Sequence, residues 1–259
     1  MINKRIPLQL ATLAVFLVIT PILQAQATPI SIDFESPYTV GMPTGSFPSI
    51  WTDVETGTTV TGTDALAGSQ SLLIGQSSFA DLYINAPNDA TELNISMLYK
   101  PIDGGAFANG GAIVLQNETN ASPSDGFSEP SALTLTFRNG GSAPDAISEK
   151  FHGSSTEYIP TTWISGTSYS ININLNYVSH SISYSIADGG SMVQSGSGTY
   201  GYHADQDFVL QLHGSQGSGT SVLADSIQIA AVPEPSSFAT IAGLASLSLI
   251  ALRRRRIKD

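Results

Sequence analysis

The stretch YSININLNYVSHSISYSIAD, residues 169–188, decides the fold of this chain. From Tyr169 to Tyr177 apolar residues occupy every second position and alternate with serine and asparagine. This is the period of a β-strand with one buried face. The same alternation resumes at Ile182 and continues to Ile186 after a short turn. The stretch therefore predicts an antiparallel β-hairpin.

The alternation recurs elsewhere between residues 30 and 231. Four further apolar sets carry it: Leu93, Ile95, Met97 and Tyr99; Leu133, Leu135 and Phe137; Phe208, Leu210 and Leu212; Ile227 and Ile229. Breaks rich in glycine and proline separate these runs, and no apolar pattern of helical period is sustained. The sequence predicts an all-β fold, an antiparallel two-sheet β-sandwich of the jelly-roll type.

Charge and cysteine content limit the function classes. The formal net charge of the chain is −11, and it contains no cysteine. A strongly acidic surface repels nucleic acid, so we expect no nucleic-acid partner. The absence of cysteine excludes thiol catalysis, thiolate metal sites and disulfides, which leaves core burial, and possible metal binding, to stabilise an exported domain.

The N-terminal residues 1–27 have the pattern of a secretory signal peptide. Lys4 and Arg5 precede an apolar segment, which ends in Ala25-Gln26-Ala27. A basic start, an apolar helix and a small-residue cleavage site define such a signal. The β-sandwich ectodomain then spans residues 28–231.

The C-terminal residues 232–259 combine three features. Pro233, Glu234 and Pro235 come first, and an uncharged, mostly apolar segment follows at residues 238–252. A basic cluster follows that segment, formed by Arg253, Arg254, Arg255 and Arg256. The apolar segment predicts a short transmembrane helix, and the arginines predict that its end faces the cytoplasm.

These three parts, in this order, resemble the PEP-CTERM sorting signal of exopolysaccharide-producing bacteria. The resemblance implies recognition and cleavage by an exosortase, transient anchoring in the inner membrane, and a final location at the cell surface or outside the cell. An ordinary membrane anchor is the alternative.

Short blocks of the body resemble concanavalin-like and carbohydrate-binding-module jelly rolls. They include IDFES at 32–36, AGSQSLLIG at 67–75 and LADSIQI at 223–229. In those modules a structural calcium ion joins the first strand, the second block and the last strand. The matching positions here are Asp33, Glu35, Ser69, Ser71 and Asp225.

One observation within the sequence supports a partner for Asp225. It shares strand parity with Ile227 and Ile229, so its side chain is predicted to point inward. An inward carboxylate is costly unless it is paired, and calcium prefers carboxylate and carbonyl oxygens. Acids that are solvated or hydrogen-bonded remain the alternative, because Asp33 and Glu35 lie on the parity opposite to the apolar Phe34.

Carbohydrate sites commonly stack sugar rings on Trp or Tyr side chains and surround them with polar side chains. Tyr200 and Tyr202 share parity after a Gly/Ser stretch, and we predict them as ligand-binding residues. Trp51 and Trp163 are predicted to lie in the core instead, because their positions resemble core positions of the fold.

The sequence argues against an enzyme. Glycoside hydrolysis needs two convergent carboxylates, and the E-x-D-x-x-E string of laminarinase-like relatives is absent. Asp53 and Glu55 are two residues apart, but such pairs arise readily in an acidic chain. No G-x-S-x-G or H-E-x-x-H motif accompanies the histidines.

The sequence thus predicts an exported, non-enzymatic surface or matrix protein that associates with exopolysaccharide. Two alternatives remain, which are an exported hydrolase or lyase acting on that polysaccharide and a passive display domain.

Overall fold

The computed structural model describes residues 29–85, 90–102, 109–117, 131–138, 146–159, 161–200, 207–214 and 221–233. They lie in a compact unit, Ala27–Val232, apart from the last residue of the final strand. Within these ranges the chain forms strands and turns, with a single 3₁₀ turn at Thr44–Ser46. No helix in them has the length and apolarity needed to cross a bilayer. The predicted signal peptide and transmembrane helix lie outside the described residues.

The first of two antiparallel sheets contains eight of the described strands. They are β1 (Ile30–Ile32), β3 (Thr58–Thr61), β4 (Ser71–Ile74), β6 (Ala90–Lys100), β11 (Tyr169–Asn176), β12 (Ser181–Asp188), β13 (Ser191–Thr199) and β15 (Val222–Pro233). Their order is β13-β12-β11-β6-β15-β4-β3, and β1 pairs with β15.

The second sheet contains seven of the described strands. They are β2 (Trp51–Val54), β5 (Phe79–Ile84), β7 (Asn109–Asn117), β8 (Leu133–Arg138), β9 (Ala146–Phe151), β10 (Glu157–Ile159) and β14 (Phe208–His213). Their order is β10-β9-β8-β7-β14-β5-β2. The prediction of an all-β, two-sheet antiparallel sandwich is confirmed.

The hairpin predicted from residues 169–188 forms as β11 and β12, with Ile173 opposite Tyr184. Its turn is closed by the Asn176 side chain, whose Oδ1 accepts hydrogen bonds from the backbone N–H of Val178 at 3.0 Å and of Ser179 at 2.8 Å. Asparagine favours such turns because its short amide replaces a backbone acceptor. Local chemistry therefore sets the register of the strands that position the outer face.

The core lies between the two sheets and is rich in aromatic rings. Tyr99 stacks on Phe137 at a centroid distance of 5.5 Å, and Trp163 meets the same ring edge-on at 5.8 Å. Trp51 and Trp163 are both buried, which confirms their prediction as core residues. Their indole N–H groups donate to the Tyr38 hydroxyl and to the Arg138 carbonyl, so both indole N–H groups have a hydrogen-bond acceptor.

Candidate functional site

The structure brings together three segments that the sequence analysis linked. The Glu35 carboxylate follows β1 and accepts hydrogen bonds from the Ser69 N–H at 2.6 Å, the Ser69 hydroxyl at 2.7 Å and the Gln70 N–H at 3.1 Å. These bonds lower the pKa of Glu35, with the Ser69 backbone bond first. Glu35 therefore ties the end of β1 to the loop before β4.

Asp225 completes the junction from β15. Its Oδ2 accepts from the Ala67 N–H at 2.9 Å and the Ser71 hydroxyl at 2.7 Å, and its Oδ1 accepts from the Ser226 N–H at 2.6 Å. Ser226 has a φ of 50°, in the left-handed region that few residues other than glycine adopt. Burial raises the pKa of Asp225 and the Glu35 charge adds to it, while the hydrogen bonds oppose both. The burial predicted for Asp225 is observed, with none of its surface exposed, and its partners are the Ser71 side chain and the loop backbone at Ala67.

We call this junction of Glu35, Ser69, Ser71 and Asp225 the carboxylate clasp. Asp33 lies beside it in the chain, is exposed, and accepts the Glu35 N–H at 3.1 Å. The groups aimed at the clasp carboxylates are N–H and O–H donors, which occupy the lone pairs that a cation needs. Within the described ranges, no three His, Asp or Glu side chains converge as a metal-binding group. These residues fit a hydrogen-bonded junction better than a calcium site.

The structure places Tyr200 in the core. Its ring is buried, packs against His180 and Phe208, and its hydroxyl donates to the Asn176 carbonyl. The prediction that Tyr200 exposes one face of its ring to a ligand is therefore wrong, because the ring packs into the core. Tyr202 lies outside the described residues.

The outer face of the eight-stranded sheet carries an open groove of about 560 Å³. It crosses five strands, and we call it the trough. Its polar lining consists of Ser31, Asn94, Ser96, Asn172, Asn174, Ser183, Ser185 and Gln228. No charged residue of the described chain lines it. The alternation of β6, β11 and β12 creates this surface, because the apolar positions of each strand point into the core.

Strand pairing sets the spacing of the trough side chains. Asn174 lies opposite Asn94 on β6 and Ser183 on β12, while Asn172 lies opposite Ser96 and Ser185. The Asn174 Nδ2 donates to the Asn94 Oδ1 at 2.6 Å. This bond leaves one amide oxygen and one amide nitrogen to face outward, which matches the paired donors and acceptors of a diol.

A second polar row is buried on the seven-stranded sheet, on the face away from the main core. Asp81 on β5 lies opposite Gln211 on β14 and accepts its Nε2 at 3.0 Å. Gln116 on β7 is fully buried nearby. Four polar atoms of these residues have no hydrogen-bond partner in the described structure: Asp81 Oδ1, Gln211 Oε1, Gln116 Oε1 and Gln116 Nε2. Such atoms are costly to bury.

The two acids that the sequence analysis considered for hydrolysis lie next to this row. Asp53 on β2 is the register partner of Asp81, and Glu55 is the first residue after the end of β2. Burial raises the pKa of Asp81 to about 7, and the negative charges of Asp53 and Glu55 add to the effect. The cluster is a source of pH-dependent stability.

A further carboxylate pair lies where the edges of the two sheets approach. Glu149 on β9 is opposite Glu157 on β10, and both line a cavity of about 290 Å³. Glu149 accepts a short hydrogen bond from the Tyr184 hydroxyl, which in turn accepts the Gln194 Nε2 at 2.6 Å. Glu149 with Glu157 and Asp81 with Asp53 are thus two carboxylate pairs that strand register places opposite each other among the described residues.

Asp81 and Glu149 were not predicted as site residues from the sequence, although a signal for the burial of both is present. Glu149 has the same parity as Ile147 and Phe151, which marks it as inward. Asp81 lies in a run of buried residues in which five of six positions are buried, as expected for a strand covered on both faces. The pattern along each strand therefore indicates that Asp81 and Glu149 are buried, but it does not indicate which strand each side chain contacts.

The sorting residues lie at the limit of the described chain. β15 ends at Pro233, and Glu234, Pro235 and the arginines at 253–256 lie outside the described residues.

Comparison with known proteins identifies the class of fold to which this structure is similar. No family model matches the chain, and no curated protein sequence does. Solved structures do match, all at low identity. The lectin UEA-II in complex with galactose covers 80% of this chain and 100% of its own, with a TM-score of 0.53 and 12% identity. A Lotus tetragonolobus seed lectin covers 73% of this chain and 96% of its own, with a TM-score of 0.52 and 7% identity.

Peanut lectin, solved with a nine-residue peptide, covers 80% of this chain and 100% of its own, with a TM-score of 0.51 and 11% identity. The chain therefore has the two-sheet sandwich of legume-type lectins, which is the concanavalin-like jelly roll that the sequence resembles. At these identities the likeness concerns the fold alone.

Proposed function

We propose that this chain is an exported, non-enzymatic surface protein that binds exopolysaccharide through the trough. The observation that carries the proposal is the lining of the trough, because an open groove of this size presents only amides and hydroxyls at its polar positions. Such groups exchange hydrogen bonds with sugar hydroxyls with little desolvation cost compared with charges. The lectin-type fold supports the same class of ligand.

The negative charge of the protein favours a neutral polymer over an acidic one as the ligand. The formal net charge is −11, and an acidic polysaccharide would be repelled on approach. No exposed aromatic ring lines the described trough, so binding rests on hydrogen bonds that contribute about 1 kcal/mol each. We therefore expect each trough to bind a polysaccharide weakly and to prefer neutral polymers clearly over acidic ones.

Removing the two exposed amides of the trough tests the proposal. We expect the double variant Asn94→Ala/Asn172→Ala to bind a soluble neutral glucan about tenfold or more weakly, because several hydrogen bonds of about 1 kcal/mol are lost. Affinity electrophoresis in gels containing the glucan measures the change. An acidic uronate polymer in the same gels should not retard the protein.

Asn85→Ala is the matched control, since it removes an exposed amide at the end of β5, away from the trough. It should bind as the unmodified protein does. Equal retardation of the trough variant and the control would overturn the assignment of the trough. Release of reducing ends from the glucan would instead favour the hydrolase alternative, with Glu149 and Glu157 as its first candidates.

Export and sorting complete the proposal. The signal-like residues 1–27 and the Pro-Glu-Pro, apolar and arginine parts of residues 232–259 support secretion, transient membrane anchoring and exosortase processing. Mass spectrometry of protein recovered from the cell surface tests this, because a C-terminus near Pro235 is expected and an intact Asp259 would contradict it.

Thermal unfolding tests whether the carboxylate clasp binds calcium. Since N–H and O–H groups already occupy the carboxylates, we expect the same midpoint with excess calcium and with a chelator. Ser71→Ala should lower the midpoint under both conditions, because it leaves the buried Asp225 with one donor fewer. A calcium-dependent rise that is lost in Asp225→Asn would show a calcium site at the position that the sequence predicts.

A further inference from the structure

The trough repeats one small unit on each of the five strands that it crosses. At every strand three consecutive residues line it, as Asn94, Ile95 and Ser96 do on β6. The central residue of the unit is buried on four of these strands, as Ile95 is, so its two neighbours point outward. The trough is therefore a periodic surface, and a polymer of repeating units is the ligand that such a surface fits.

The two outward residues of each unit form opposite walls of the trough. Strand pairing aligns them into two rows across β12, β11 and β6: Ser183, Asn174 and Asn94 in one, and Ser185, Asn172 and Ser96 in the other. Alternate residues of a strand are roughly 7 Å apart, and neighbouring strands are about 4.8 Å apart. The trough is therefore roughly 7 Å wide and, across the five strands, roughly 19 Å long.

The polar surface continues across the strands but not along them. On β6 the next outward residues beyond the two walls are Glu92 and Leu98, and neither lines the trough. A polymer lying along β6 would leave the amides and hydroxyls for a carboxylate or an apolar side chain after one unit. A polymer lying across the strands meets an amide or a hydroxyl in both walls at β12, β11 and β6. Hydrogen bonding therefore favours the direction across the strands.

We propose that the trough binds an extended, unbranched chain of β-1,4-linked neutral sugars that lies across the strands, with one sugar ring on each strand. The inference rests on the proposed function and adds the linkage and the direction of the ligand. Such a chain advances by about one ring length per sugar, which is close to the strand spacing of about 4.8 Å. Its equatorial hydroxyls project from the ring edges toward both walls. Coiled β-1,3- and α-1,4-linked glucans advance less per ring, so their rings fall out of step with the strands.

Calorimetric titration of the unmodified protein with cello-oligosaccharides of increasing length measures how many rings the trough holds. We expect the affinity to rise by about fivefold with each added ring, because each strand supplies at least one further hydrogen bond. The rise should continue to five rings, one for each strand, and then level off. An affinity that stops rising at two or three rings would overturn the proposal, because a ligand lying along a strand meets only one unit.

Two matched substitutions test the direction of the ligand. Ser185→Ile removes a wall hydroxyl at the β12 end of the trough and should weaken binding of the five-ring oligosaccharide by about fivefold. Ser170→Ile is the control, because Ser170 is exposed on β11 two residues along the strand from Asn172 and does not line the trough. Isoleucine suits a strand at both positions. The control should bind as the unmodified protein does, and a loss as large as that of Ser185→Ile would show that the ligand follows β11, which contradicts the proposal.

A comparison of linkages separates this inference from the proposed function. In affinity gels we expect hydroxyethyl cellulose, an extended β-1,4-linked chain, to retard the protein with a dissociation constant about tenfold or more below that of laminarin or pullulan, whose coiled chains leave most wall groups unpaired. Equal retardation by the three polymers would overturn the extended-chain inference and leave the proposed function standing. Retardation by none of them would overturn both.

Discussion

Asp81→Asn is expected to stabilise the protein at pH 8 by on the order of 4 kcal/mol and to remove the contribution of Asp81 to the pH dependence of stability between pH 4 and 7. Asp81 is only 3% exposed and lies opposite Asp53. Burial, then the charges of Asp53 and Glu55, raise its pKa to about 7. Asparagine has the same shape and needs no charge in this site.

The sign follows from proton binding. The pKa of an unfolded aspartate is about 3.9, so between about pH 4 and 7 the folded protein holds a proton that the unfolded chain has released. The stability that Asp81 contributes is therefore present below about pH 4, is lost as the pH rises to about 7, and changes no further above it. The difference between about 3.9 and about 7 corresponds to roughly 4 kcal/mol at 1.36 kcal/mol per pH unit.

Urea unfolding at pH 4, 5.5 and 8 measures the effect. The variant and the unmodified protein should coincide near pH 4 and separate as the pH rises. Asp188→Asn is the control, because Asp188 is exposed at the end of β12 and its loss should change stability by less than about 0.5 kcal/mol. Parallel curves for Asp81→Asn would show that the carboxylate is ionised at no cost in the folded protein.

Gly214→Ala is expected to destabilise the protein by on the order of 3–5 kcal/mol. Gly214 follows β14, and its N–H donates to the Ser78 carbonyl at 2.8 Å. A methyl group there would overlap the Gly75 carbonyl oxygen and lie 3.0 Å from the Ile74 carbonyl. Gly75 itself packs against the Gly57 carbonyl, so three backbone segments meet without room for a side chain.

The contact matters because it joins the two sheets. Gly75 follows β4 of the eight-stranded sheet, and Gly214 follows β14 of the seven-stranded sheet. Backbone cannot move aside as a flexible side chain does, so the strain passes to both sheets. Equilibrium unfolding in urea measures the loss. Gly45→Ala, where a methyl group meets nothing within 4 Å, should be nearly neutral, and a similarly small loss at Gly214 would contradict the close approach.

Much of the fold was predictable because a strand with one buried face records its orientation every second residue. The hairpin of β11 and β12 shows this, as do the buried positions of Trp51 and Trp163. The strands of the seven-stranded sheet were harder, since both faces of β5 and β14 are mostly buried and their alternation is weak. Tyr200 was predicted to be exposed because parity does not show when a loop residue closes the end of a core.

The candidate sites likewise combine features that local spacing predicts with contacts that depend on the tertiary structure. Local spacing was enough to predict the strand alternation, the burial of Asp225, and the serine and asparagine positions of the outer face. The tertiary structure alone decided that Asn174 meets Asn94, that Asp81 faces Asp53, and that N–H donors fill the carboxylate clasp. The contacts of Asn174 with Asn94, of Asp81 with Asp53 and of Ala67 with Asp225 join residues 80, 28 and 158 positions apart. The order of strands in the two sheets, which no local pattern encodes, brings them together.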